Sequence, residues 1–176
     1  MAVIIIPKNR YSDDNALKDV FNYVADYSKS IGLIGAQNMI VDYSVEQAIA
    51  VNQYFYNNTE KKVIHFIISF SLYEDIDPMD AFREGYRICA LLPEYQIIFA
   101  VHQNTDYLHI HFTMNSVSLK DGHKYYFDYA NLYSFADEVK NILAPYGVTN
   151  LKIEFSDKSN NIEPPEQLDY TESDMV

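Results

Sequence analysis

Between Val101 and Val117 the chain reads VHQNTDYLHIHFTMNSV, and this stretch limits the fold more than any other. Successive side chains of a β-strand point to opposite faces, so His109, His111, Thr113, Asn115 and Val117 share one side. Leu108, Ile110, Phe112 and Met114 line the other side. Upstream, Gln96 to His102 reads as a second strand, and the short polar loop from Gln103 to Asp106 makes the pair a hairpin. Antiparallel neighbours of this kind can bring His102 close to His109. Two imidazoles on one strand face and a third from its neighbour can form one face of a metal site. An isolated His-x-His is more often an accident of alternation than a ligand pair. His102 and Asn115 tilt the balance towards the metal.

The rest of the chain supplies an α+β layer fold around this hairpin. Val3 to Ile6, ended by Pro7, forms a β-branched first strand. A helix fits Asn15 to Ser28, capped by Asp13 or Asp14, with Leu17, Val20, Phe21 and Val24 as its apolar stripe. Tyr23 and Tyr27 stand four residues apart, so this helix would carry both on one side. Ile31 to Gly35 reads as a turn, and Ser44 to Tyr56 as a second helix. Val63 to Ser71 has few charges and suits a central strand, with His65 and Ser69 on one face. For His65 the buried strand histidine is the preferred reading over a catalytic one. Asp77-Pro78 opens a third helix to about Leu92. Lys124 to Phe127 reads as a strand, Asn131 to Pro145 as an amphipathic helix stopped at Gly147, and Val148 to Phe155 as the last strand. The expected product is a central antiparallel sheet of about five strands with packed helices, over residues 1–155.

Composition bounds the function. The single cysteine, Cys89, fits a reducing cytosol and excludes an internal disulfide framework. No segment approaches a membrane span, so a cytoplasmic protein with no membrane partner is expected. The net charge of −12 argues against generic attraction to nucleic acid. From Glu154 onward there are seven acidic residues and one lysine, and residues 156–176 read as an acidic, disordered tail. Sixteen tyrosines and ten phenylalanines can serve as core, or as stacking platforms for unpaired bases.

Three neutral imidazoles suit a divalent cation with open positions for a phosphate oxygen. No catalytic cysteine lies near a histidine and no glycine-rich phosphate loop is present, whereas tyrosines are plentiful. At this point the chain resembles the relaxases, the mobilisation endonucleases of the HUH superfamily. A histidine followed seven and nine residues later by His-x-His, then an asparagine, matches His102, His109, His111 and Asn115. His65, Ser69, Phe70, Glu74, Pro78, Ala81 and Gly85 match the upstream block, and Gly122 and Lys124 the Gly-Lys that follows. ALKDVFNYVADYSKS resembles the helix of the nucleophilic tyrosine, which puts that residue at Tyr23 and a common lysine at Lys29. The residue pattern by itself does not choose between Tyr23 and Tyr27.

The resemblance implies nicking of single-stranded DNA at a transfer origin through a phosphotyrosine link. It implies a divalent ion, Mn or Mg before Zn, on His102, His109 and His111, with Asn115, Lys29 and Lys124 towards the substrate. Accessory mobilisation proteins or a conjugation coupling protein would be partners. The chain departs from the family pattern at Asn104, where an acid is common, and at Tyr107, where many members carry another histidine. Two alternatives stand beside it. In the replication-initiator or transposase branch the nucleophile would follow the histidines, as Tyr133 or Tyr146. A non-catalytic domain binding single-stranded nucleic acid or a protein would suit the acidic charge.

Overall fold

The computed structural model describes residues 1–8, 11–30, 32–57 and 61–156. The expected tail therefore lies outside the described residues, except for Ser156, which ends a strand. In chain order the elements are β1 (Ala2–Pro7), α1 (Asp14–Val24), the single turn α2 (Tyr27–Ser30), β2 (Ile34–Gln37) and α3 (Ser44–Tyr54). They continue with β3 (Val63–Ser69), α4 (Pro78–Cys89), β4 (Ile97–His102), β5 (His109–Asn115), α5 (Tyr129–Leu143) and β6 (Leu151–Ser156). The α+β class holds. The sheet has six strands in the order β2-β4-β5-β3-β1-β6, and it is mixed rather than wholly antiparallel, because β6 runs parallel to β1.

Strand alternation gives the sheet two different faces. Ile64, Phe66 and Ile68 of β3, Ile97, Phe99 and Val101 of β4, and Ile110, Phe112 and Met114 of β5 enter the main core. There they meet Ala81, Ile88 and Cys89 of α4 and Leu132, Phe135 and Val139 of α5. The opposite face carries Val63 and Ile98 against Leu17, Val20, Phe21 and Ala48 of α1 and α3. It also carries His65, His102, His109, His111, Thr113 and Asn115, all buried. Burial of each large apolar side chain contributes roughly 1.5–3 kcal/mol. The stripe Leu17, Val20, Phe21 and Val24 is therefore enough to hold α1 down over the histidine face.

Four local expectations need correction. The helix expected over 15–28 stops at Val24, and α2 starts afresh after Asp26, whose carboxylate accepts from the backbone N–H of Ser28 at 2.9 Å. Asp, with its short acceptor side chain, competes with helix continuation in this way. Tyr27 is thus on a separate turn and does not share a helix side with Tyr23. Of the segment expected to turn at 31–35, Gly32 has the left-handed φ of a turn, but Ile34–Gln37 is the edge strand β2. Residues 124–127 make one bridge, Val117 to Lys124, and no strand.

Candidate metal centre and its tyrosine

The β4–β5 hairpin sets His102 directly opposite His109, as the spacing predicts. His111 lies two residues along β5, opposite the small Ala100. Diagonal neighbours on one sheet face are within reach of long and aromatic side chains. Ring centroids of His102 and His111 are 4.4 Å apart, those of His109 and His111 are 5.0 Å apart, and those of His102 and His109 are 5.5 Å apart. One ligand nitrogen from each of the three falls within 4.8 Å of the others, and all three rings are buried.

Backbone carbonyls fix which nitrogen two of the three rings present. A carbonyl only accepts, so His102 donates Nε2–H to Val24 at 3.3 Å, leaving Nδ1 with a lone pair. His109 donates Nδ1–H to the Tyr107 carbonyl at 2.8 Å, which turns Nε2 towards the cluster. His111 Nδ1 meets His65 Nε2 at 3.1 Å. His102 Nδ1 and His111 Nε2 are buried without a hydrogen-bond partner. Such orphaned nitrogens are costly in an empty core and are what a cation would satisfy. Burial pushes His102 down to about 4, opposed by its bond to Val24 and assisted by the charges of His109 and Lys29. It holds His111 well below its ordinary value too, with His65, His102, His109 and Lys29 adding to the effect. Neutral imidazoles with free lone pairs are the form that binds metal. The donor set therefore fits a borderline divalent ion.

The break after Val24 has a chemical consequence. The last carbonyls of a helix lack intrahelical donors, and Val24 spends one of them on His102. One residue before it, Tyr23 stands edge-on to the cluster, its ring 5.4 Å from His111 and 6.0 Å from His102. The chain then doubles back through α2, so that Lys29 Nζ sits 3.8 Å from the centre of the Tyr23 ring. Tyr27 points away and is 61% exposed.

Comparison with known proteins assigns the chain to a family. The family model described as Relaxase: MobA/VirD2-like, nuclease domain matches residues 23–148, well over half of the chain. The chain belongs to the relaxase family. A solved structure described as the molecular basis of vancomycin resistance transfer in Staphylococcus aureus has the same fold. Its TM-score is 0.52 at 15% identity, covering 82% of this chain and 90% of that one. No curated protein matches the chain. No described helix of this relaxase is long and apolar enough to cross a membrane.

Other expected site residues of the relaxase fall elsewhere. Asn115 is fully buried at the far end of β5, six residues or roughly 20 Å from His109. Its Nδ2 donates to Gln96 at 3.0 Å and to the Ala48 carbonyl at 3.2 Å, and its Oδ1 accepts from Asn52 at 2.9 Å. This amide ties α3 to the sheet. Lys124 bridges Val117 beyond that same end and does not join the cluster. Tyr133 and Tyr146 belong to the α4–α5 side of the sheet, where Tyr146 donates to Glu84 at 2.9 Å. No tyrosine following the histidine pair is thus brought to them by α5. Two residues that sequence reasoning did not place in the site adjoin it. His65 stacks on His111 with centroids 5.4 Å apart, and Tyr11 Oη lies 3.3 Å from His65 Nδ1. Burial pushes His65 down to about 3, with the charges of His102 and Lys61 adding to it. The parity of His65 on β3 was legible, but its diagonal approach to His111 depends on the β3–β5 register.

Proposed function

We propose that this relaxase domain nicks single-stranded DNA at the transfer origin of a mobile element and rejoins it, using Tyr23 as nucleophile. The observation that carries this reading is the Tyr23 ring standing over two of the three clustered histidines with Lys29 against it. His102, His109 and His111 would hold a divalent ion, Mn or Mg first and Zn second, through Nδ1, Nε2 and Nε2 respectively. When bound, the ion supplies Lewis-acid polarisation of the phosphate and stabilises its developing charge. The Tyr23 oxygen attacks phosphorus, the bond to the 3′-oxygen breaks, and the phenolic proton ends in net on the released 3′-hydroxyl. The product is a 5′-phosphotyrosyl link, so one phosphodiester is exchanged for another and the free 3′-OH can reverse the step. Lys29, beside the Tyr23 ring, would meet a phosphate oxygen. Accessory mobilisation proteins and a conjugation coupling protein would act beside it in the cytoplasm.

The test is adduct formation. The protein, given Mn²⁺ or Mg²⁺ and single-stranded oligonucleotides tiling the transfer origin of its own element, should yield a covalent protein–DNA species on a denaturing gel. Tyr23→Phe should abolish it and Tyr27→Phe should leave it in place. An adduct that survives Tyr23→Phe moves the nucleophile elsewhere. The net charge of −12 favours a second reading, a binding domain without catalysis. Oligonucleotide binding without any adduct would establish that one instead.

A further inference from the structure

Two of the three metal-facing histidines have their tautomer fixed by a backbone carbonyl, at Val24 and at Tyr107. The third does not. His111 Nδ1 faces another imidazole, His65 Nε2, at 3.1 Å, and either nitrogen can be the donor. His65 Nδ1 in turn faces the hydroxyl of Tyr11 at 3.3 Å, which can also donate or accept. The chain Tyr11–His65–His111 therefore has two possible directions. If the protons point towards His111, its Nε2 carries hydrogen and cannot bind a cation. If they point away from it, His111 Nδ1–H donates to His65, His65 Nδ1–H donates to Tyr11, and His111 Nε2 offers its lone pair.

We propose that His65, seated by Tyr11, is the positioning residue that sets the tautomer of His111 and so prepares the metal centre. The inference rests on the metal reading of the three histidines. His65 is 3% exposed and spans from β3 to β5 on the histidine face, next to a ligand rather than to solvent. Its partner Tyr11 is buried and held at φ 39°, a left-handed conformation that residues with a side chain seldom adopt. The backbone carbonyl of Tyr11 accepts from Lys62 N–H at 2.9 Å, which anchors that conformation to the entrance of β3. An imidazole hydrogen-bonded to a ligand imidazole orients the ring and raises its basicity, the role that carboxylates and carbonyls serve at many metal centres.

Calorimetric titration of the metal-free protein with Mn²⁺ alone separates the possibilities. His65→Leu should weaken Mn²⁺ binding about 10- to 100-fold, the range for loss of an outer hydrogen-bond partner. His65→Gln, whose amide oxygen can still accept from His111, should recover much of that loss, although a purely steric role would favour leucine as readily. Urea unfolding of both variants checks that each is folded, and with Zn²⁺ bound, nitrogen-15 NMR should find the His65 proton on Nδ1. Mn²⁺ affinity within twofold of the parent in His65→Leu, or the His65 proton on Nε2, overturns the proposal. His109→Ala is the control for the underlying reading. If it loses Mn²⁺ while His65→Leu does not, the ligand set stands and only the relay fails. If the unaltered protein takes up no Mn²⁺, both fall together.

Discussion

A histidine that stays neutral in the fold makes stability depend on acidity, and His65, His102 and His111 are all of this kind. In the unfolded chain they take up protons near pH 6.5. In the fold His102 resists until about 4 and His65 until about 3, burial being the main cause in both. Between those limits the unfolded state binds more protons, so stability is full above pH 6.5 and falls as the solution is acidified. Each such group contributes a slope of up to about 1.4 kcal/mol per pH unit. Urea unfolding of the chelator-treated protein should therefore show a steep loss between pH 6.5 and 5, before most carboxylates titrate. His65→Leu should make that slope shallower, and equal stability at pH 7 and pH 5 would contradict the neutral cluster. The three clustered histidines were readable because they lie on one hairpin, where spacing alone fixes register. His65 and Tyr11 were not, because their contacts span 46 and 54 residues and depend on which strand lies beside which.

The same distinction between local and distant information holds for whole elements. Helix α4 was legible from Asp77-Pro78 onward, and Asp77 does cap it, accepting from Asp80 N–H at 2.7 Å. Its glycine at 85 has a reason that appears only in the packing. A Cβ there would lie 2.3 Å from the Phe99 ring, and one at Gly35 on β2 would lie 2.4 Å from the same ring. Phe99 is thus received on one side by a helix and on the other by an edge strand, both cut back to hydrogen. Gly85→Ala should destabilise the protein by about 1–3 kcal/mol through overpacking, measured by urea unfolding. Pairing it with Phe99→Leu should restore part of the loss, since the two changes share one space. Strictly additive losses would show that the ring is not the obstacle. The overrun of α1 past Val24 and the parallel pairing of β6 with β1 were unreadable for related reasons. An apolar stripe does not reveal where a competing Asp26 turn takes over, and a β-branched run does not name its partner.

At the scale of the molecule the net charge of −12 must be reconciled with a polyanionic substrate. Single-stranded binding can draw on neutralised phosphates or on bases stacked against aromatic rings, and salt separates the two. Lys29 brings a cation to the site. Exposed rings are at hand as well: Tyr27 follows on α2, and Tyr73, 79% exposed, lies just beyond the end of β3 where Ser69 pairs with His109. If stacking and a bound cation carry the interaction, few counterions are released. For single strands the slope of log K against log salt is about −0.7 per neutralised phosphate. Two such contacts would give a slope near −1.4, and this shallow dependence is the expected result. Fluorescence anisotropy of a labelled oligonucleotide with Tyr23→Phe protein and Mn²⁺, between about 50 and 200 mM salt, measures it. Lys29→Ala should reduce the slope by about 0.7, whereas Tyr73→Ala should weaken binding by about 1–3 kcal/mol without changing it. A slope steeper than about −4 would require six or so phosphates held by cationic side chains. The DNA path would then have to follow the lysines and arginines rather than the exposed tyrosines at the histidine end of the sheet.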